Sequence, residues 1–156
     1  MKIKNFVISL SVIVCFMSAC DRNVYFSDHQ SVNAEGWNMN SDVFFNVDVD
    51  NTHSPFNFFV ELRNTQDYPY DKTFLFIKTL FPDGGVALDT MECPLADVDG
   101  RWYGKVSGKY VDNRYFLRRN VKFPQKGLYQ FRISQATRDT NLIGIKDVGL
   151  RIEYVE

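Results

Sequence analysis

From residue 43 onward, apolar and polar residues alternate with a period of two. Val43, Phe45, Val47 and Val49 interleave with Asn46, Asp48 and Asp50. Successive side chains of a strand point to opposite faces, so this spacing predicts a half-buried strand. Residues 51–55 form a turn. Phe56, Phe58, Val60 and Leu62 then alternate with Asn57, Glu61 and Arg63, and the two runs are expected to pair as antiparallel neighbours. Phe59 interrupts the polar side of the second run, so that side should be partly covered. Phe74, Leu75, Phe76 and Ile77 follow one another directly. Residues 73–80 therefore read as a central strand buried on both faces, with Phe76 and Ile77 deepest in the core.

Further strands are expected over 86–92, 129–134 and 145–154. An edge strand is expected over 117–123, stopped by Pro124. Turns are marked by Pro82-Asp83-Gly84-Gly85, Asp99-Gly100 and Gln125-Lys126-Gly127. Gly84, Gly100 and Gly149 are candidates for turn or bulge conformations that a Cβ would penalise. Residues 109–119 follow no clear period, and no window of helical period stands out. About eight or nine short strands separated by turn signals predict an all-β fold, an antiparallel β-sandwich of Ig-like or jelly-roll-like type. Fourteen Phe against eight Tyr means that most aromatic rings have no polar tip and should serve packing.

The first forty residues are of a different kind. Lys2 and Lys4 precede an apolar run, Phe6 to Met17, which ends in Ser18-Ala19-Cys20. A basic start, a short apolar core and small residues before a junction are the pattern of a secretory signal. The twelve-residue run is shorter than the roughly 20 residues a spanning helix needs. With Cys at the junction the pattern resembles a bacterial lipobox. Residues 1–19 are then a lipoprotein signal peptide and Cys20 is the lipidated residue. Residues 20–40 form a polar lead-in and tether, with Trp37 docking at its end, and 41–156 form the sandwich domain. Removing Lys2 and Lys4 leaves sixteen basic against nineteen acidic residues, a net charge of −3. That balance points to neither nucleic acid nor an anionic surface.

Candidate chemistry is sparse. Cys15 leaves with the signal, Cys20 is acylated, and Cys93 is left without a disulfide partner. Cys93 reads as a small buried apolar residue. His29 and His53 read as solvated, and no nucleophile elbow accompanies either. Asp48 and Asp50 continue the polar side of a strand; only convergence of Asp48, Asp50 or Glu61 in a cleft would suggest hydrolysis. No catalytic residue, metal site or cofactor is expected. Trp37, Tyr68, Tyr70, Trp102 and Tyr103 fall in loops or near strand ends, where rings can stack on sugars or anchor a protein partner.

Four ordered blocks carry a family resemblance. The first is Arg63-Asn64-Thr65, Tyr68-Pro69-Tyr70 and Phe74-Leu75-Phe76-Ile77. The second is Pro82-Asp83-Gly84 with Leu88-Asp89-Thr90. The third is Leu95-Ala96, Gly100-Arg101-Trp102-Tyr103-Gly104 and Gly108. The last runs from Phe123-Pro124 through Gly127-Leu128-Tyr129-Gln130-Phe131 and Gln135-Ala136-Thr137-Arg138 to Asp147-Val148-Gly149 and Arg151-Ile152-Glu153. Together with the lipobox, the series resembles the gliding-motility lipoprotein GldH family of Bacteroidota. The resemblance implies a membrane-anchored cell-envelope lipoprotein without catalytic residues. It would support assembly or stability of the gliding-motility and type IX secretion machinery through protein–protein contacts. The single acid after Cys20, Asp21, points to an outer-membrane protein facing the periplasm. The alternative is a surface glycan-binding module built on the aromatic loops.

Overall fold

The computed structural model describes residues 23–155. The expected signal segment and Cys20 lie outside them. Eleven strands follow in chain order: β1 (Val24–Ser31), β2 (Trp37–Asn38), β3 (Val43–Val49), β4 (Phe56–Thr65), β5 (Lys72–Leu80), β6 (Val86–Pro94), β7 (Lys105–Ser107), β8 (Tyr110–Val121), β9 (Gly127–Gln135), β10 (Asn141–Leu142) and β11 (Ile145–Tyr154). One sheet has the order β1-β11-β4-β8-β7 and another β3-β9-β5-β6; β10 and β2 form a small third. All pairings are antiparallel. Without the three short strands, eight long strands divide into β1-β11-β4-β8 and β3-β9-β5-β6. That is the jelly-roll form of the expected sandwich.

The two large sheets bury their facing sides against each other. Phe45, Val47, Leu75, Ile77 and Ile133 meet Val60, Leu62, Val148, Leu150 and Ile152 in one core. An aromatic cluster closes one end. Phe123 stacks edge-on against Phe56 (5.3 Å between centroids), Phe58 (5.3 Å) and Tyr129 (4.9 Å), and Tyr25 lies 4.8 Å from Phe56. Trp37 and Leu142 belong to the same core through the small sheet, and Trp37 Nε1 donates to the Ser41 carbonyl at 2.7 Å.

Four expectations are corrected. First, the runs over 43–49 and 56–62 are not neighbours: β3 pairs with β9, and β4 with β11 and β8. Each run has a complete apolar side, and the link between them crosses the sandwich so that these sides face each other. Second, β5 is buried on one face only. Leu75 and Ile77 are fully buried, but Phe76 is 54% exposed, because among the described residues no third layer covers the outer side of this sheet. Third, the described part of the polar lead-in contains the strands β1 and β2. β1 pairs with β11 along its length; it lies at the sheet margin, so its composition shows little of the pairing. Fourth, the segment without a period, 109–119, lies in β8 from Tyr110 on, with Lys109 in the turn before it; the register of β8 with β4 shifts near Phe56–Phe59. Gly84 (φ 86°) and Gly100 (φ 78°) do occupy the left-handed region, as their turns require.

The burial of β5 sets a stability prediction. Ile77→Ala should cost about 2–5 kcal/mol, as a buried large-to-small change does. Phe76→Ala should stay under about 1 kcal/mol, since it removes an exposed ring. Urea unfolding followed by circular dichroism measures both, and equal losses would contradict the one-sided burial of β5.

Candidate interaction surfaces

The outer face of the five-stranded sheet holds a lattice of charges, built row by row from strand register. One row runs His29, Gly149, Glu61 and Arg114 across β1, β11, β4 and β8; the next runs Ser31, Asp147, Arg63 and Asp112. His29 Nε2 lies 2.7 Å from Glu61 Oε2, and Arg114 Nε donates to the other oxygen, Oε1, at 2.7 Å. Arg63 Nε donates to Asp112 at 2.6 Å and its guanidinium lies 3.6 Å from Asp147. Arg151 and Arg114 both approach Glu153 Oε1. The Glu61 side chain is only 13% exposed, so these contacts are less screened than ordinary surface pairs. Phe59 is covered on this face by Phe116, 4.4 Å away, and by the Arg114 guanidinium 5.5 Å above its ring, as its place in the pattern suggests.

His29 is therefore not simply solvated. Its ring lies across β11 at the one position in the row without a side chain, Gly149. A Cβ there would overlap the His29 ring. Gly149 is neither a turn nor a bulge, and its φ is not positive; close approach of a neighbour is what requires glycine. No sequence period signals that role, because it arises from a strand 120 residues away in the chain.

The candidate binding aromatics separate into three environments. Trp37 (1% exposed) and Tyr68 (5%) are core residues, so their rings offer no exposed stacking face. Trp102 is half-buried against the core, within an isolated bridge to Ala96. Tyr70 and Tyr103 are exposed, and lie on loops tied together by Leu95 N to Asp71 O (2.7 Å) and Tyr103 N to Leu95 O (2.9 Å). Tyr70 donates its hydroxyl to Asp139 at 2.9 Å.

The carboxylates considered for hydrolysis do not converge. Asp50 accepts the Tyr25 hydroxyl at 2.8 Å, whereas Glu61 sits on the outside of the opposite sheet. The groove beside Glu61 is lined by His29, Arg63, Asp112, Asn113, Arg114 and Arg151 together with Leu62 and Asp147. It contains no hydroxyl or thiol to act as a nucleophile. Among the described residues no three His, Cys, Asp or Glu side chains gather where they could share a metal ion.

Cys93 is fully buried. Burial pushes its thiol from 9.0 up to about 12, and pushes the Tyr68 hydroxyl from 10.0 up to about 12. Burial raises Tyr115 as well; its hydroxyl donates to the Pro94 carbonyl at 2.7 Å. Such a thiol is inert at neutral pH. The folded chain keeps these protons at a pH where the unfolded chain has released them. The unfolded state then binds fewer protons, so stability falls as pH rises.

Two predictions follow from these arrangements. The denaturation midpoint should decline between pH 9.0 and about 12, and Cys93→Ala should flatten the first part of that decline; an unchanged slope would place the thiol in a more solvated setting. Gly149→Ala should cost about 1–3 kcal/mol by overpacking. In a His29→Ala background it should cost at least about 0.5 kcal/mol less. A double-mutant cycle by urea unfolding reads that coupling, and strict additivity would break the assigned contact.

Comparison with known proteins agrees with the ordered sequence blocks. The model of the family described as GldH lipoprotein matches residues 24–152. The chain is 34% identical over 160 residues to the gliding motility lipoprotein GldH of Flavobacterium johnsoniae, covering 98% of each. It is 32% identical over 147 residues to the gliding motility lipoprotein GldH homolog of Christiangramia forsetii, covering 90% of each. Among solved structures, it is similar to an exo-β-1,3-galactanase from Phanerochaete chrysosporium, with a TM-score of 0.40 and 12% identity, over 83% of this chain and 26% of that one. It is also similar to a family GH115 4-O-methyl-α-glucuronidase, with a TM-score of 0.43 and 11% identity, over 88% of this chain and 18% of that one. A shared activity does not follow from structural similarity at that level. The family match and the two full-length relatives place the chain in the GldH lipoprotein family.

Proposed function

We propose that this protein is a fatty-acylated cell-envelope lipoprotein that works by contact, supporting assembly or stability of the gliding-motility and type IX secretion machinery. The observation that carries this reading is the family match over 24–152, joined to the lipobox ending in Cys20. The groove chemistry favours contact over catalysis, since its charged side chains are engaged with one another and no hydroxyl or thiol stands among its lining residues. The anchor is an acylated Cys20 on the outer membrane, with the sandwich facing the periplasm.

β1 begins at Val24, so residues 21–23 separate the acylated cysteine from the folded sheet. Fully extended, that stretch spans about 11 Å. The sandwich is thus held close to the bilayer by a short leash. The leash leaves from the strand end where Tyr154 N donates to the Asn23 carbonyl at 2.8 Å.

Mass spectrometry of the mature protein should find an acylated Cys20 at the N-terminus, and Cys20→Ser should release the protein from membranes. Native purification in mild detergent should bring down envelope proteins, and deletion should impair secretion. A lone monomer together with normal secretion in the deletion strain would overturn the reading. Digestion of the domain by protease added to intact cells would overturn the periplasmic placement.

A further inference from the structure

The outer face of the four-stranded sheet contrasts with that of its partner sheet. Its exposed positions include Phe44, Phe76, Leu88 and Leu128, at 39%, 54%, 76% and 59% exposure. Phe44 and Leu88 end one row across the sheet, and Phe76 lies two residues along β5 from the same row; exposed apolar residues that share a sheet face offer another molecule a surface to cover. The sequence pattern of β5, apolar on both sides, is that of a strand covered twice. Within the isolated chain it is covered once.

Two cations stand in the middle of this apolar face. One row across the sheet reads Phe44, Arg132, Lys78, Leu88. Lys78 and Arg132 are direct cross-strand partners, an arrangement that destabilises a sheet. Arg132 Nε donates to Gln130 at 2.7 Å and its guanidinium lies 5.2 Å from the centre of the Phe44 ring. Among the described residues neither cation has a carboxylate within ion-pair distance. Glu92, opposite Phe74 and four residues along β5 from Lys78, is engaged by Lys72 at 3.1 Å, and Asp48, opposite Leu128, is four residues along β9 from Arg132. On the five-stranded sheet, by contrast, Arg63, Arg114 and Arg151 are each matched to acids.

We propose that the outer face of β3-β9-β5-β6 is the docking surface for a partner protein that presents carboxylates set among apolar side chains. The acids would settle between Lys78 and Arg132, relieving their repulsion, while apolar groups cover Phe44, Phe76 and Leu88. Charge complementarity selects the acidic partner. A bilayer is the weaker fit. The chain leaves toward Cys20 from the end of β1, in the opposite sheet, which turns a strand end of the sandwich rather than this face toward the membrane. The proposal rests on the contact function above and names its surface.

The test uses the full lipidated protein in cells, with a photo-crosslinking phenylalanine placed at Phe76 and, separately, at Ser27 on the outer face of the five-stranded sheet. The expected result is one partner cross-linked from position 76 and not from 27, at a partner peptide holding Asp or Glu beside apolar residues. Lys78→Glu with Arg132→Glu should lower that yield at least tenfold, and Asp/Glu→Lys in the mapped peptide should restore it. Lys78→Gln with Arg132→Gln, which keep length and remove charge, should lower the yield with an unchanged or higher melting temperature, and serve if the glutamate pair does not fold.

Cross-links from 27 alone would overturn this surface while leaving the contact function standing. Cross-links from neither site, with no co-purifying protein, would overturn both. A cross-linked pair of copies of this chain would replace the acidic partner with self-association. Binding of the purified protein to phosphatidylglycerol vesicles, lost in the glutamine pair, would replace it with a membrane surface. A yield indifferent to the charges would remove the cation pair from recognition.

Discussion

Pleating makes every strand two-sided, and burial of one side of each sheet against the other is what holds this molecule together. The described residues form no helix, and Leu75, Ile77, Ile133, Val60, Leu62 and Leu150 are buried in the space between the two sheets. At about 25 cal/mol per Å² of apolar surface, that shared interior is the dominant favourable contribution. Every strand must present its apolar set inward, so register is fixed, and a slip of one residue would turn that set out to solvent. The outer faces are the consequence of the inner ones.

The two outer faces meet that consequence differently. On the five-stranded sheet, the rows bring opposite charges into register, and Glu61 serves both His29 and Arg114. A single exposed pair contributes little, but shared carboxylates with limited exposure form a network. The face is satisfied within the chain. On the four-stranded sheet the register does the opposite, setting Lys78 against Arg132 among exposed apolar residues. A face that is electrostatically complete and one that is not imply different neighbours, water for the first and another surface for the second.

The ends of the sandwich divide labour as well. One end is closed by the Tyr25, Phe56, Phe123 and Tyr129 cluster, and the chain joins β1 there. The other carries the loops with Tyr70 and Tyr103, where Trp37 and Tyr68 fill the interior beneath. Tyr68 and Tyr70 lie two residues apart with ring centroids 5.7 Å apart, yet one is core and the other is surface. Ring type and loop position could not separate them; only the direction in which each loop residue points does so.

The sequence by itself determined what depends on local alternation. The period of two in 43–49, 56–62 and 145–154, the turns at Gly84 and Gly100, and the burial of Ile77 and Cys93 are all legible, because each follows from neighbours along the chain. The ordered blocks also sufficed for the GldH resemblance. The tertiary structure decided which strands lie side by side. It turned β3 and β4 into facing rather than paired strands, made β1 from a polar lead-in, and left Phe76 exposed. It also joined His29 to Glu61 over Gly149, and set Lys78 beside Arg132. These features depend on partners far away in the chain, and alternation specifies only that a strand has two faces, not what lies against each.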